Sequence, residues 1–332
     1  MKTPLFWHTN NLVSYLLIPF SWVWYFLAVL KKNITKSYFI DIPIIKIGNV
    51  VAGGAGKTPL AISIAKRLIS FKLKVHFVTK GYKGSKKTTT LVNQSLHNFS
   101  EVGEEALLLS NIAPTWIGNK RSSCINAAKK NGAEIIILDD GLQDSSIKGD
   151  MNILVFNGSQ GIGNKRLIPS GPLREPLNWS INKSQLAVII DKDKKNIERS
   201  LSKELLVLKA TTIIKQSIKT TLQNKNLSAF CGLGYPEKFN EFLQSIGSKV
   251  VFWNTFPDHY VYSESQINKM IIESKNNNCL LVTTQKDHIK IPLKYKNNIF
   301  SFPIDIQFDE YSKLDSMLYS VINKYKKNEN IN

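Results

Sequence analysis

The chain has 332 residues, of which 43% are hydrophobic and 21% charged, and its formal net charge is +19. These values exclude wholesale disorder, and the length allows one large domain or two ordinary ones. The three cysteines, Cys124, Cys231 and Cys279, stand alone in the sequence, which excludes a disulfide framework and the usual zinc-binding spacings. The positive charge favours nucleic acid, anionic lipid or phosphorylated substrates. Because no signature of a nucleic-acid-binding fold accompanies it, nucleic acid is not expected as a partner.

The N-terminal region is apolar, with no Asp, Glu, Lys or Arg in residues 3–30, and lysines follow at positions 31, 32 and 36. Residues 12–30 would extend about 28 Å as a helix, close to the thickness of a bilayer core. Three alternatives fit: a spanning anchor, a helix in the membrane interface, or an apolar hairpin buried in the protein. Pro19 and the abundant tyrosine and tryptophan favour the interfacial helix. We expect residues 1–33 to contact an anionic membrane surface.

A glycine cluster at residues 53–56 lies between an apolar run at 42–47 and a stretch with helical spacing at 60–68. Strand, glycine turn and helix in this order are typical of a P-loop, whose backbone N–H groups surround phosphate oxygens. Val51 stands where the usual motif has its first glycine, although the other glycines keep the turn flexible. A flexible surface turn is the alternative. We predict ATP binding by Gly53, Gly54, Ala55, Gly56, Lys57, Thr58 and Pro59.

Residues 75–84 predict a second strand that ends in a glycine loop containing Tyr82. Residues 101–110 predict a helix with Glu104 and Glu105 in its first turn, where acidic side chains commonly complement the helix dipole. A further helix is expected to begin at Arg121.

Four apolar residues at 135–138 precede Asp139 and Asp140. The pattern predicts a buried parallel strand that delivers two carboxylates to the edge where nucleotides bind in α/β sheets. Mg²⁺ prefers oxygen ligands, so Thr58, Asp139 and Asp140 are candidate ligands beside the ATP phosphates. An Asp-Asp-Gly turn that satisfies its own backbone is the alternative.

Residues 151–177 form a predicted strand followed by a long basic loop, with Lys165, Arg166 and Arg174 suited to bind phosphate groups. Another strand is predicted at 186–190, and an α/β rhythm resumes after about residue 223. The glycines at 232 and 234 are only a weak match to half of a dinucleotide-binding motif.

We therefore predict an α/β protein with a P-loop NTPase-like three-layer α/β/α core. A second, smaller α/β domain is joined to it by a strand-like hinge, and an apolar helix precedes both. The expected bounds are 1–33 for the helix, 34–203 for the P-loop domain, 204–222 for a two-stranded hinge and 223–332 for the C-terminal domain. The cleft between the domains is the expected active site.

Eight motifs occur in one order along the chain: IGNVVAGGAGKTP, GYKG, EVGEEALLL, LDDGLQD, GNKRLIPSGPLREP, FCGLGYPEKF, FPDHYVYS and VTTQKDHIKI. From the N-terminal helix to about residue 306, this series resembles the tetraacyldisaccharide 4'-kinases, the lipid A kinases of Gram-negative bacteria. The resemblance implies transfer of the ATP γ-phosphoryl group to the 4'-hydroxyl of a tetraacylated disaccharide 1-phosphate. It also implies a location at the cytoplasmic face of the inner membrane.

The resemblance also implies roles for residues. Catalytic roles fall on Glu104, His259, Lys57 and Asp140, with Glu104 as the base that His259 orients and Glu105 as the alternative base. GEEA replaces the family's GDEP, DDGLQD replaces DDGLQH, and GYP replaces GNP. We expect the lipid substrate to contact Asn49, Tyr82, Glu105, Arg121, Gln143, Arg166 and Arg174.

A membrane-associated P-loop ATPase switch, with no lipid acceptor, is the competing hypothesis. Such proteins often carry a second lysine just before the glycines, where this chain has Ala52, and they dimerise across the nucleotide. For the kinase we expect ATP and Mg²⁺ as cofactors, a lipid substrate and a monomeric state.

Overall fold

The structure is a computed structural model that describes residues 4–329, with side chains up to residue 325. Residues 1–3 of the predicted segment 1–33 and residues 330–332 of the predicted segment 223–332 lie outside the described residues.

The described residues contain thirteen strands: β1 (Ile44–Gly48), β2 (Val75–Thr79), β3 (Thr90–Leu91), β4 (Thr115–Ile117), β5 (Ile135–Leu138), β6 (Met151–Asn157), β7 (Leu186–Ile190), β8 (Leu206–Ile213), β9 (Asn226–Gly232), β10 (Lys249–Phe256), β11 (Leu280–Thr284), β12 (Phe300–Phe302) and β13 (Asp305–Phe308). The helices of the same residues are α1 (Leu12–Leu16), α2 (Ile18–Ile34), α3 (Lys57–Ser70), α4 (Phe99–Val102), α5 (Glu104–Ser110), α6 (Arg121–Lys130), α7 (Leu177–Asn182), α8 (Gln216–Leu222), α9 (Glu237–Ser245), α10 (Glu264–Asn276), α11 (Gln285–His288), α12 (Leu293–Lys296) and α13 (Tyr311–Glu329).

The larger sheet has the strand order β13-β8-β7-β6-β1-β5-β2-β4-β3. Its pairs are parallel except at the two edges, where β13 and β3 run antiparallel to their neighbours. Strands β1, β2, β5 and β7 are buried along their whole length, as expected for a parallel sheet covered on both faces. Alternate residues of β1 and β5 pack against α3 and α13 on one face and against α6 on the other. The predicted three-layer core is confirmed.

The smaller sheet has four parallel strands in the order β10-β9-β11-β12. Leu227, Ala229 and Cys231 of β9 face helices α8 and α9, and Phe230 faces α10 on the other side. The predicted second α/β domain is therefore present.

The connection between the sheets differs from the predicted bounds. Residues 204–222 are one strand, β8, followed by helix α8, and β8 is part of the larger sheet. The second connecting strand is β13, which returns from the smaller domain and pairs antiparallel with β8. A strand-like connection was predicted, but its second strand is remote in sequence.

The C-terminal segment rejoins the larger sheet, so the predicted bounds of 223–332 for the second domain are too wide. Helix α13 packs on the same face as α3, and Arg67 of α3 pairs with Asp315 of α13. Lys66 pairs with Asp305 at 2.5 Å. The sequence pattern of a single strand and helix does not say which of two sheets they join.

The N-terminal region forms two helices rather than one, because the chain breaks at Leu17, just before Pro19. Ser21 Oγ donates to Leu167 O at 2.8 Å and Trp24 Nε1 donates to Arg174 O at 2.9 Å, so α2 is docked on the basic loop. Large apolar side chains on α2 nevertheless remain exposed, including Phe20 (62%), Trp22 (70%) and Phe26 (61%). None of the helices in residues 4–329 combines the length and apolarity needed to cross a membrane.

Candidate active site

The P-loop lies between β1 and α3, where the predicted strand, turn and helix are found. Gly53 and Gly56 have φ of 115° and 86°, in the left-handed region that glycine adopts without strain. A Cβ on Gly56 would lie 2.7 Å from Ile190 Cδ1 at the end of β7. No heavy atom lies within 4 Å of a Cβ placed on Gly54, which leaves that side of the loop open. The loop has the shape and freedom expected of a phosphate cradle.

Position 51 lacks the usual glycine, and the structure gives a reason. Val51 forms an isolated antiparallel bridge with Leu173, and Ala52 N donates to Pro172 O at 2.7 Å. Arg174 N donates to Val50 O at 2.8 Å. The first half of the P-loop is thus paired with the basic loop in an extended conformation, which a β-branched residue favours.

Lys57 and Asp140 meet at the mouth of the P-loop. Lys57 Nζ donates to Asn49 Oδ1 at 3.0 Å and lies 3.5 Å from Asp140 Oδ1. Arg174 Nη1 lies 3.1 Å from the same Asp140 oxygen. Burial opposes ionisation of Asp140, but Lys57, Arg174 and Arg121 lower the pKa of this carboxyl below its usual value. Lys57 and Arg174 thus place two positive charges at the mouth of the P-loop.

Asp139 lies beneath Thr58. Thr58 Oγ1 donates to Asp139 Oδ2 at 2.8 Å, and Asp139 Oδ1 is buried without a partner among the described residues. Burial and the charge of Glu105 raise the pKa of Asp139 to about 7, against the opposing effects of Thr58 and Lys57. A hydroxyl beside an unpaired buried carboxylate oxygen is a donor set that suits Mg²⁺, so the predicted metal ligands fit the ion.

Arg121 lies behind the two aspartates instead of facing open space. Its side chain is 3% exposed and donates to Asp140 O at 2.8 Å and to Asp144 Oδ2 at 2.8 Å. These contacts turn both terminal nitrogens of the guanidinium to the protein, while Nε has no partner among the described residues, and direct binding of substrate by Arg121 stays a prediction. Its place in the structure is to hold the backbone that carries the metal-side carboxylates.

The Glu104–His259 pair spans the two domains. His259 Nδ1 lies 3.2 Å from Glu104 Oε2. Glu104 is the first residue of α5 in the larger domain, and His259 lies in the loop between β10 and α10 in the smaller one. His259 has φ of 63°, a conformation uncommon for non-glycine residues and often found at functional sites. The two residues to which the resemblance gives a joint role are in contact.

Close backbone packing places Glu104. A Cβ on Gly103 would lie 2.6 Å from Tyr82 O, and one on Gly84 would lie 2.6 Å from Glu101 O. The GYKG loop therefore packs directly on the turn that begins α5, and glycine at these positions is a steric requirement. Tyr82 in this loop presents its ring to the edge of His259, with centroids 5.5 Å apart.

The remaining predicted substrate residues fall into two groups. Gln143 Nε2 donates to Asn49 O at 2.7 Å and to Glu175 Oε1 at 3.2 Å, so it lies beside the P-loop. Arg166, by contrast, stacks over the Tyr15 ring at 3.9 Å and donates to Ser14 Oγ at 3.2 Å. Its contacts hold helix α1 against the basic loop.

Sequence reasoning missed the charged residues beside Glu104. Lys286 and Lys290 each lie 3.8 Å from a Glu104 oxygen. Asp287, which lies between them in sequence, is buried. They belong to the motif VTTQKDHIKI, to which no role was given. The sequence signal that could have identified them is the group of three charged residues at positions 286–290, shortly after the apolar run that forms β11.

Comparison with known proteins places this geometry in a family. The family model described as LpxK, tetraacyldisaccharide-1-P 4'-kinase, matches residues 13–323. The chain belongs to this family. Among curated relatives, the tetraacyldisaccharide 4'-kinase of Paramagnetospirillum magneticum is 35% identical over 314 residues, which cover 95% of this chain and 97% of the relative. The enzyme of that name from Jannaschia sp. is 32% identical over 329 residues, covering 98% and 100%.

A solved structure of the family agrees with the fold. LpxK from Aquifex aeolicus, crystallised in complex with ATP, superposes with a TM-score of 0.77 at 25% identity. The match covers 94% of this chain and 100% of that one.

Two departures from the tetraacyldisaccharide 4'-kinase motifs have a structural explanation. Asp144, where the family motif has histidine, pairs with Arg121 and accepts a hydrogen bond from Ser146 Oγ at 2.6 Å. Glu104, where the motif has aspartate, still reaches His259. With both changes present, Thr58 still donates to Asp139 and Lys57 still lies 3.5 Å from Asp140 Oδ1.

Proposed function

We propose that this chain transfers the γ-phosphoryl group of ATP to the 4'-hydroxyl of tetraacyldisaccharide 1-phosphate, the activity for which its family is named. The observation that carries the proposal is the meeting of two sets of residues. Lys57, Thr58 and Asp139 form a P-loop site on the larger domain, and His259 of the smaller domain contacts Glu104 of the larger one. Helix α3, which begins at Lys57, contacts helix α5, which begins at Glu104, so the two sets lie on neighbouring helices.

On this proposal Lys57 and Arg174 bind the outer phosphates, and Thr58, Asp139 and Asp140 hold Mg²⁺. When bound, Mg²⁺ supplies charge neutralisation on the β- and γ-phosphate oxygens. Lys57 and Arg174 both contact Asp140 in this structure, so they are already placed together. Fixed cations at this point favour the transition state because charge spreads over the transferred group.

The proton of the acceptor hydroxyl goes to the Glu104–His259 pair. Both Glu104 oxygens face cations, with Oε2 towards His259 and Lys286 and Oε1 towards Lys290, and the Glu104 side chain is only 8% exposed. We therefore assign the proton-accepting atom to His259 Nε2, and not to Glu104 as expected from sequence. This nitrogen lies 3.7 Å from Asp258 Oδ2 and makes no hydrogen bond among the described residues. Glu104 then orients the ring through Nδ1 and stabilises the imidazolium, a division of labour known from catalytic triads.

The 4'-oxygen forms a bond to the γ-phosphorus while the bond from that phosphorus to the bridging oxygen breaks, and ADP leaves with the bridging oxygen. The hydroxyl proton moves to His259 Nε2 and is later lost to water.

The acceptor is a lipid, and the N-terminal helices suit its location. Their exposed apolar side chains, with Lys31 and Lys32 at the end of α2, form the combination expected of an interfacial helix on an anionic leaflet. We infer peripheral binding at the cytoplasmic face of the inner membrane, where ATP is present. All the site residues come from one chain, so a monomer suffices.

The alternative, a P-loop ATPase switch without lipid acceptor, is not favoured. It has no use for a histidine that a second domain supplies to a carboxylate of the first, and the family match points to the kinase.

The test is transfer of label from γ-labelled ATP to the disaccharide 1-phosphate by the purified chain in detergent micelles. We expect a labelled lipid bisphosphate, with no label on a 4'-deoxy acceptor. ATP hydrolysis at the same rate with and without acceptor, and no labelled lipid, would instead support the switch.

A further inference from the structure

A short segment after β11 brings three charged side chains from the smaller domain to the Glu104–His259 pair. Lys286 and Asp287 lie in α11, and Lys290 follows two residues after its end. We call these three residues the lysine–aspartate clamp. Lys286 Nζ donates to Asp258 Oδ1 at 2.7 Å, and Asp258 immediately precedes His259. The clamp therefore touches the histidine loop as well as Glu104.

Asp287 anchors the loop that carries His259. Its carboxylate is fully buried and accepts hydrogen bonds from Gly232 N at 3.0 Å, Thr284 Oγ1 at 2.7 Å and Tyr262 OH at 2.9 Å. Tyr262 lies three residues after His259. Because a left-handed backbone at a non-glycine residue persists only where its surroundings hold it, these bonds help to place His259.

Lys290 places a buried positive charge between the two domains. Its side chain is 0% exposed, and its Nζ lies 2.7 Å from Asp287 Oδ1 and 3.8 Å from Glu104 Oε1. The ammonium has no hydrogen bond of normal geometry within the described part of the chain, so it acts on both carboxylates through its charge. A buried ammonium is strongly unfavourable unless carboxylates face it. Here one carboxylate comes from each domain.

Charges surround Glu104 on the side of the smaller domain. Oε2 lies 3.2 Å from His259 Nδ1 and 3.8 Å from Lys286 Nζ, and Oε1 faces Lys290 alone. We propose that Lys290 is a positioning residue for phosphoryl transfer, which holds Glu104 with Oε1 turned to the smaller domain, so that Oε2 stays directed at His259. The inference rests on the proposed function, because it gives the clamp a role in the proton acceptor of that reaction.

A purely structural role is the competing explanation. In that case Lys290 only neutralises Asp287, and its loss lowers the stability of the smaller domain without affecting turnover by folded molecules. The two explanations differ in the kinetics of the folded fraction.

The experiment compares Lys290→Met, which removes the charge at similar side-chain length, with the full wild-type chain. We expect kcat to fall about tenfold or more, while the KM for ATP changes less than about twofold. The other groups that face Glu104, which are His259, Lys286 and Tyr262, are the same in each variant.

Two further variants complete the comparison. Lys290→Arg keeps the charge and should recover most of kcat. Lys294→Met is the matched control, since this lysine is 59% exposed and pairs with Glu264, and it should behave as wild type. If Lys290→Met does not fold, Lys290→Gln gives the same readout, because the amide can still donate to Asp287 but carries no charge.

A double variant separates action through Glu104 from action elsewhere. Glu104→Gln with Lys290→Met should be no slower than Glu104→Gln alone, because the charge that Lys290 acts on is already absent. A further, additive loss would overturn the inference, as would wild-type kcat for folded Lys290→Met. Failure of the proposed function is a separate result, since the wild-type chain itself would then transfer no label to the disaccharide.

Discussion

His259 Nδ1 lies 3.2 Å from Glu104 Oε2, although 155 residues separate the two in sequence. One side chain begins a helix of the larger domain and the other lies on a loop of the smaller domain. The contact therefore exists only when the two domains are docked. It places an imidazole, oriented by a carboxylate, next to the nucleotide site built on the P-loop.

Removal of either partner of this contact should stop transfer without loss of ATP binding. For His259→Ala and Glu104→Gln we expect kcat to fall by about 10² to 10⁴, the usual contribution of a positioned acid–base group. Radiolabel transfer measures the rate, and a fluorescent ATP analogue measures affinity. Glu241→Gln, on an exposed position of α9, is the control. Near wild-type turnover by His259→Ala would reject the assignment of the proton acceptor.

Lys57 should be needed for both nucleotide affinity and rate. It contacts Asn49 and Asp140 across the mouth of the P-loop, so Lys57→Met removes the cation nearest the predicted outer phosphates. We expect ATP affinity to fall about tenfold or more and transfer to become undetectable above background. Lys66→Met, on the same helix, removes only a partly exposed pair with Asp305 and should bind ATP normally by calorimetry. Equal affinities for the two variants would contradict the site.

Asp144 should stabilise the fold in a pH-dependent way. Burial alone would raise the pKa of this carboxyl, but the hydrogen bond from Ser146 and the nearby Arg121 lower it to about 2. Because the folded pKa lies below the unfolded value of about 3.8, the stabilisation is present above about pH 4 and is lost as the pH falls towards 2. In urea titrations, Asp144→Asn should lower the free energy of unfolding by about 2 kcal/mol at pH 7.

The difference between wild type and Asp144→Asn should shrink below about pH 4. Asp309→Asn, at an exposed position, should show no comparable change with pH. A difference that stays constant from pH 7 to the lowest pH at which both chains fold would mean that the carboxylate charge is not responsible.

The exposed face of α2 should decide membrane binding. Trp22 and Phe26 are four residues apart, so they lie on the same face of the helix, and they are 70% and 61% exposed. Replacing both by glutamate removes apolar contacts worth about 1.5–3 kcal/mol each, so co-flotation with anionic vesicles should fall at least about tenfold. ATP affinity should not change. Leu293→Glu, 83% exposed on the smaller domain, should float as wild type does. Equal flotation of all three proteins would exclude this face.

Much of the nucleotide site could be predicted because its signals are local. Strand β1, the glycine turn and helix α3 occupy one short window, and Asp139 and Asp140 follow directly on the buried run of β5. In such windows the backbone preferences of neighbouring residues and the period of the apolar side chains determine the element. The carboxyl ends of adjacent parallel strands then bring these residues to one edge of the sheet.

Contacts between distant segments could not be predicted in this way. The sequence did not indicate that Arg121 donates to the backbone of Asp139 and Asp140. It also did not indicate that Arg166 packs on Tyr15. A basic residue in a loop has the same sequence signature in either role, because burial and partners are decided by chain segments elsewhere.

The sequence by itself thus determined the P-loop, the two aspartates and the α/β class, all of which depend on residues within a few positions of one another. Only the tertiary structure decided that β13 and α13 return to the larger sheet, and that Lys286, Asp287 and Lys290 surround Glu104. The physical reason is the range of the interactions. Backbone propensity and side-chain periodicity act along the chain, whereas sheet pairing and buried charge compensation join segments up to hundreds of residues apart.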